Sequence, residues 1–176
     1  FDESIALQKQ VAEARTRLLG PKHPDTLFIE LNRAATLYQA GQPQAALAQL
    51  DRILPLARQV LGDKHPQVHM GYDIRAQSAD EVGDRALAIA SYRELIALRD
   101  GALGADDPRT TDAAWQLEGL LRQSGNDAEA DAVRARYVMP LLQAKADTLS
   151  EDRAAKRKDI IDSEREEALA ARAGAK

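Results

Sequence analysis

Leu19-Gly20-Pro21-Lys22-His23-Pro24 returns as Leu61-Gly62-Asp63-Lys64-His65-Pro66, and again as Leu103-Gly104-Ala105-Asp106-Asp107-Pro108, at steps of 42 residues. A second glycine series keeps the same beat: Gly41, Gly83 and Gly125, each followed five residues on by Ala46, Ala88 and Ala130. Two independent markers with one period and one phase identify a repeat protein, and every other reading depends on that.

The chemistry of the recurring stretch gives its structural role. Glycine reaches the left-handed conformation that closes a helix, so each Leu-Gly reads as a last turn and its C′ residue. Proline suits the first helical position, so Pro24, Pro66 and Pro108 each open a helix. The residue before a proline is pushed out of the α region and falls at the N-cap. Asp107 is a good cap there, and His23 and His65 are weaker ones. The unit is helix, tight turn at Gly41, Gly83 or Gly125, helix, then the Leu-Gly-x-x-x-Pro connection.

The chain has 176 residues, enough for one ordinary domain, with 44% hydrophobic residues but only 4% aromatic. Its apolar content is mostly Ala and Leu, which suits close helix packing. The formal net charge is −4 with no basic stripe, which argues against nucleic acid as a partner. No apolar run nears a membrane-spanning length and no signal peptide opens the chain, so no membrane association and a cytoplasmic location are the expectation. There is no cysteine, hence no disulfide or thiolate chemistry.

Residues 1–19 read as a second helix without its first: a shift of 42 lays Ile5 on Leu47 and Val11 on Ile53. Ile5, Ala12, Leu18 and Leu19 would then lack a partner, either because the sequence is a piece of a longer array or because Phe1 and Ile5 are buried by another chain. The latter predicts a homodimer through the N-terminal helix. Repeats follow at 20–61, 62–103 and 104–146. Pro55 lies inside a second helix and predicts a kink rather than a break. Pro140 repeats it one residue past the matching place. Arg75 falls near a packed face, with its stem on apolar surface and its charge in water. Residues 147–176 form a charged C-terminal helix or tail, with 7 acidic and 7 basic residues between Ser150 and Lys176. Ile160, Ile161 and Leu169 are too sparse for a coiled coil. They suit a solvated helix that caps the last repeat, with a dimer helix as the alternative.

The histidines invite a metal hypothesis, since His65 and His69 are four apart. His23 and His65 are explained by the junction, however, and Pro66 opens the helix between His65 and His69. No phosphate loop, Ser-His-Asp set or paired apolar carboxylates can be assembled, so no catalytic residue, metal ligand or cofactor is expected.

The paired helices with a small residue at the Ala46 position resemble tetratricopeptide repeats. The 42-residue unit and its Leu-Gly-x-x-His-Pro junction are similar to the kinesin-light-chain subclass, over residues 1–146. The resemblance implies an all-α, right-handed solenoid of antiparallel helix pairs, with the charged C-terminal helix beyond it. It also implies a non-enzymatic protein-binding module. The concave groove, lined by the first helix of each pair, would hold a protein or extended peptide. In the subclass two asparagines on that helix face the groove. On the glycine beat the second falls on Asn32, Ile74 and Gln116; matched on Leu31-Asn32-x-Ala34-Ala35, Asn32 becomes the first. Groove candidates are Asn32, Tyr38, Met70, Asp73, Ile74, Asp80, Trp115, Gln116, Arg122 and Gln123, with Tyr38 and Trp115 either anchors or core. Asp73, Asp80, Glu81 and Asp112 would favour a segment carrying Lys or Arg beside a large apolar residue. A regulatory, sensory or oligomerisation domain of a larger bacterial protein, such as a kinase or transcription regulator, is the alternative.

Overall fold

A computed structural model describes residues 1–174 of the chain, so the last two residues of the 147–176 segment lie outside the described residues. It is an array of helices: α1 Asp2–Leu19, α2 Pro24–Gln39, α3 Pro43–Leu61, α4 Pro66–Glu81, α5 Arg85–Leu103 and α6 Pro108–Gln123. α7 Asp127–Val133 continues through a π-helical turn, Arg134–Val138, into α8 Met139–Gln143. A short 3-10 turn, Ala146–Thr148, leads to α9 Glu151–Gly174. Each helix packs on its sequence neighbours, and α2 and α6 also meet the next first-type helices, α4 and α9. No described residue forms a strand.

The junction is built by the residues expected, with one difference in backbone. Gly20, Gly62 and Gly104 have φ of 88–94° but ψ of 161–163°. That is a positive-φ extended region open almost only to glycine, rather than the left-handed helical one. The chain therefore leaves each helix extended, and proline restarts it. Nδ1 of His23 and of His65 accepts the amides of Asp25 and Gln67 at 3.2 Å. Asp107 accepts from Arg109 at 2.9 Å. The tighter turns use a Schellman closure, in which Gln42, Asp84 and Asn126 donate to the carbonyls of Leu37, Ala79 and Leu121.

Between the helices the core is thin and closely approached. Ala46, Ala88 and Ala130 are fully buried. A Cβ added at Gly71 would lie 2.6 Å from Leu54 Cδ2 and 3.1 Å from Leu31 Cδ2. α4 thus seats against the first repeat where no side chain intervenes. The core is nearly continuous, with Tyr72 touching both large clusters. α3 runs unbroken through Pro55. At Pro140 the helix widens into the π turn just before it, which relieves the clash of the ring with the preceding carbonyls. On the outer helices, Arg58–Glu94, Arg93–Glu129 and Arg136–Asp100 pair across successive repeats at 2.6–2.9 Å. Exposed pairs of this kind are worth about 0–1 kcal/mol each.

Two sequence expectations change. Ile5 and Ala12 are not orphaned, because Ile5 packs against the first core cluster and Ala12 is 3% exposed. The large apolar residues left uncovered at this end are Phe1, just before α1, and Leu7, Leu18 and Leu19 within it, as expected for the last two. Arg75 does not simply extend to water; it donates to Asp51 and Ser91 at 2.9 Å.

Two stability predictions follow from this geometry. Gly62→Ala forces a β-carbon into the junction conformation and should cost about 1–3 kcal/mol in urea unfolding. Gly101→Ala, inside α5 with nothing near its would-be β-carbon, should instead gain about 0.5–1 kcal/mol. Equal effects at the two sites would contradict the junction's role. His69 supplies the pH prediction. Burial, then the charges of Arg99, Arg109 and His65, hold its imidazole below the ordinary 6.5, against the opposing bond to the Asp63 carbonyl. The unfolded chain therefore takes up a proton near pH 6.5 that the folded chain refuses, so stability falls as pH drops below that value. Melting at pH 7.5 and pH 5.5 should show a smaller loss for His69→Gln than for wild type.

Candidate functional site: the face of the first helices

α2, α4 and α6 present equivalent positions at 42-residue intervals, all at least partly exposed except the buried Ile74: Phe28, Met70 and Asp112; Asn32, Ile74 and Gln116; Gln39, Glu81 and Gln123. Period 3.6 puts these on one stripe of each helix, and stacking the repeats aligns the stripes into one surface. α9 begins 43 residues after Pro108, one residue past the beat, and lies against α6 and α8. It therefore occupies the place of a fourth first helix and extends the same face. Ile160 is fully buried there with Val138 and Leu141.

The expected site residues fall into three groups. Asp80, Trp115, Gln116 and Arg122 line one cavity of about 340 Å³, with Gln123. Asp73 lines a second cavity, of about 330 Å³, that includes Asp112, Arg99 and Arg109 from this end of the array and Asp152, Lys156 and Asp159 from α9. Asn32, Tyr38, Met70 and Ile74 join neither. Tyr38 and Met70 are half-buried against the first core cluster, and Ile74 is buried in it.

Most of the acidic groups are already engaged. Asp73 sits 2.6 Å from Arg99, itself 8% exposed and donating to the Arg109 carbonyl. Tyr38 donates its hydroxyl to Glu81 at 2.8 Å. Burial, then Glu81, Asp73 and Asp80, push the Tyr38 phenol up to about 12. Burial also raises the Tyr92 phenol, with Asp73, Asp112 and Asp80 adding to it. Two phenols on different helices thus feel the same negative field. Arg122 is held by Glu118 and Asp131 at 3.1 and 2.9 Å, and Arg134 by Glu118 and Glu164. Among the described residues Asp80 makes no ion pair.

Trp115 is half-buried. It packs against the Val138–Leu141–Ile160 cluster and also lines the larger cavity. The Lys156 ammonium lies 5.9 Å from the centre of its ring and 2.5 Å from Asp112 Oδ1. Sequence reasoning missed Tyr92, Gly119, Glu164 and Glu167 in the cavity wall. The signal for the last two was the 42-residue beat carried past Pro108 to Ser150. It was obscured because Lys145-Ala146 stands where Leu-Gly is due. Among the described residues no group of three or more His, Cys, Asp or Glu side chains could hold a metal, and no helix is long and apolar enough to cross a membrane.

Residues 1–59 and 25–100 match the tetratricopeptide repeat family, together more than half of the chain, and the chain belongs to that family. It is 26% identical over 109 residues to the Clustered mitochondria protein homologs of Aedes aegypti and of Culex quinquefasciatus. That alignment covers 62% of this chain but only 8% of either relative. Two crystal structures of TPR-like repeats, described as those of a Podosopora anserina kinesin light chain, superpose with TM-scores of 0.73 and 0.72 at 21% identity. They cover 96% of this chain and 81% and 82% of theirs. The kinesin-light-chain-like solenoid is thus the fold, and the chain is a protein-interaction scaffold.

Removing the Trp115 side chain should separate its two roles. Trp115→Ala leaves Val138, Leu141 and Ile160 short of contacts and should lower stability by about 2–3 kcal/mol, short of a fully buried indole. Wild-type emission should be blue-shifted yet still quenched by iodide, whereas complete protection would mean that the indole does not reach the cavity.

Proposed function

We propose that the chain binds an extended segment of a partner protein along the face of its first helices. The observation that carries this reading is the cavity between α4, α6 and α9, where Asp80, Trp115, Gln116 and Gln123 converge from successive repeats on one side of the array. On the outer helices, by contrast, Arg58, Arg93 and Arg136 are each paired with a carboxylate of a neighbouring repeat. The half-buried Trp115 supplies a rigid anchor, the type of residue that dominates such binding. Polar Gln116 and Gln123 beside it can meet a segment's backbone amides and carbonyls. The groove serves as the docking site and performs no chemistry.

Selection of a random peptide library on the intact chain tests this. Gln116→Arg, on the exposed stripe of α6, should weaken the recovered peptides by about tenfold or more, with melting temperature unchanged. Gln59→Arg, on the exposed surface of α3, should leave them within about twofold. Equal loss at both positions, or recovered peptides indifferent to Gln116→Arg, would rule the groove out.

A further inference from the structure

We infer that the cavity between α4, α6 and α9 is a subsite for one cationic side chain of the bound segment, a guanidinium or an ammonium, and that α9 forms one wall of it. This rests on the groove reading above and adds the identity of the group recognised. The cavity, about 340 Å³, holds four carboxylates, Asp80, Glu118, Glu164 and Glu167, and two cations, Arg122 and Arg134. Its lining therefore carries two more negative than positive charges. Both arginines are committed. Arg134 bridges Glu118 and Glu164 at 3.2 and 2.8 Å, and Arg122 bridges Glu118 and Asp131. What remains is Asp80 from α4 and Glu167 from α9, both exposed and, among the described residues, in no ion pair. A concave wall with low-dielectric backing concentrates the field of such groups.

Aromatic and steric features agree with the charge. Trp115 and Tyr92 line the same cavity, and an indole attracts a cation through the negative face of its ring. The molecule already shows the pairing, since Lys156 lies over the Trp115 ring with its ammonium on Asp112. Gly119 keeps the floor open. It lies within α6, where glycine costs roughly 1 kcal/mol against alanine, yet a β-carbon there would touch nothing within 4 Å. No packing demand explains a glycine at that position; a larger side chain would occupy the cavity.

The test uses the full chain and two acetylated pentapeptide amides of alanine, one with a central arginine and one with the neutral isostere citrulline. Trp115, the single tryptophan, reports binding by its fluorescence. The arginine peptide should saturate and bind about tenfold tighter than the citrulline peptide, with the gap closing in high salt. Asp80→Asn with Glu167→Gln, which removes no ion pair among the described residues, should bring the arginine peptide down to the citrulline level. Gly119→Phe should block both. Equal affinity for the two peptides, an unaffected double variant of unchanged melting temperature, or no saturation at concentrations of about 10 mM would overturn the subsite. If library-selected peptides remain sensitive to Gln116→Arg but ignore the Asp80/Glu167 double variant, the groove stands and the cationic subsite falls.

Discussion

One backbone constraint underlies this molecule: the chain must leave three successive second-type helices through a conformation that only glycine readily adopts. At Gly20, Gly62 and Gly104 the positive φ with extended ψ turns the chain straight out of the helix. The following proline then fixes where the next helix starts. Because a junction of the same length, with glycine and proline at the same two places, spans the gap each time, the angle between pairs is repeated rather than set afresh. Regular stacking follows, and with it the alignment of first-helix stripes into one surface. Fully buried alanines at 46, 88 and 130 and the missing side chain at Gly71 let the helices approach closely enough to make that stacking a core.

What the sequence made legible is what local rules determine. Glycine and proline act through their own φ and their own missing groups, so the junctions, turns and helix order could be read without knowing any long-range contact. The Ala46 series was legible for a related reason, since only a small residue suits a close crossing. Pairing was not legible. Leu31, Asp73 and Trp115 occupy one position of the repeat, and Ala57, Arg99 and Leu141 its counterpart on the second helix. The second repeat has replaced an apolar contact with a nearly buried ion pair. Asp73 read alone is a free groove carboxylate; only its neighbour 26 residues away shows that it is spent on Arg99.

α9 shows the same limit from the other direction. Its composition, with more charged residues than others, reads as a solvated tail. Solvation describes its outer face correctly, but Ile160 is fully buried and Lys156, Arg153 and Glu164 each reach a group on the third repeat. The helix keeps the beat of the array while losing the residues that announce it. Repeat arrays need an end whose last face tolerates water, and a charged helix in the position of a further first helix satisfies this without breaking the stacking.

That placement has an electrostatic consequence. Along the face of the first helices two carboxylates are neutralised by cations, Asp73 by Arg99 and Asp112 by Lys156, while Glu81 keeps its charge and accepts a hydrogen bond from the neutral Tyr38 hydroxyl. A buried or paired carboxylate gives a distant cation little, because its partner's charge cancels most of its field. Among the described residues, negative charge in no ion pair remains at Asp80 and Glu81 on α4 and at Glu167 on α9, and Asp80 and Glu167 stand beside the half-exposed indole and the open floor at Gly119. The acidic groove suggested by the sequence in this way loses Asp73 and Asp112 and keeps Asp80 and Glu81. The helix that seals the core at that end also supplies Glu164 and Glu167 to the cavity beside it.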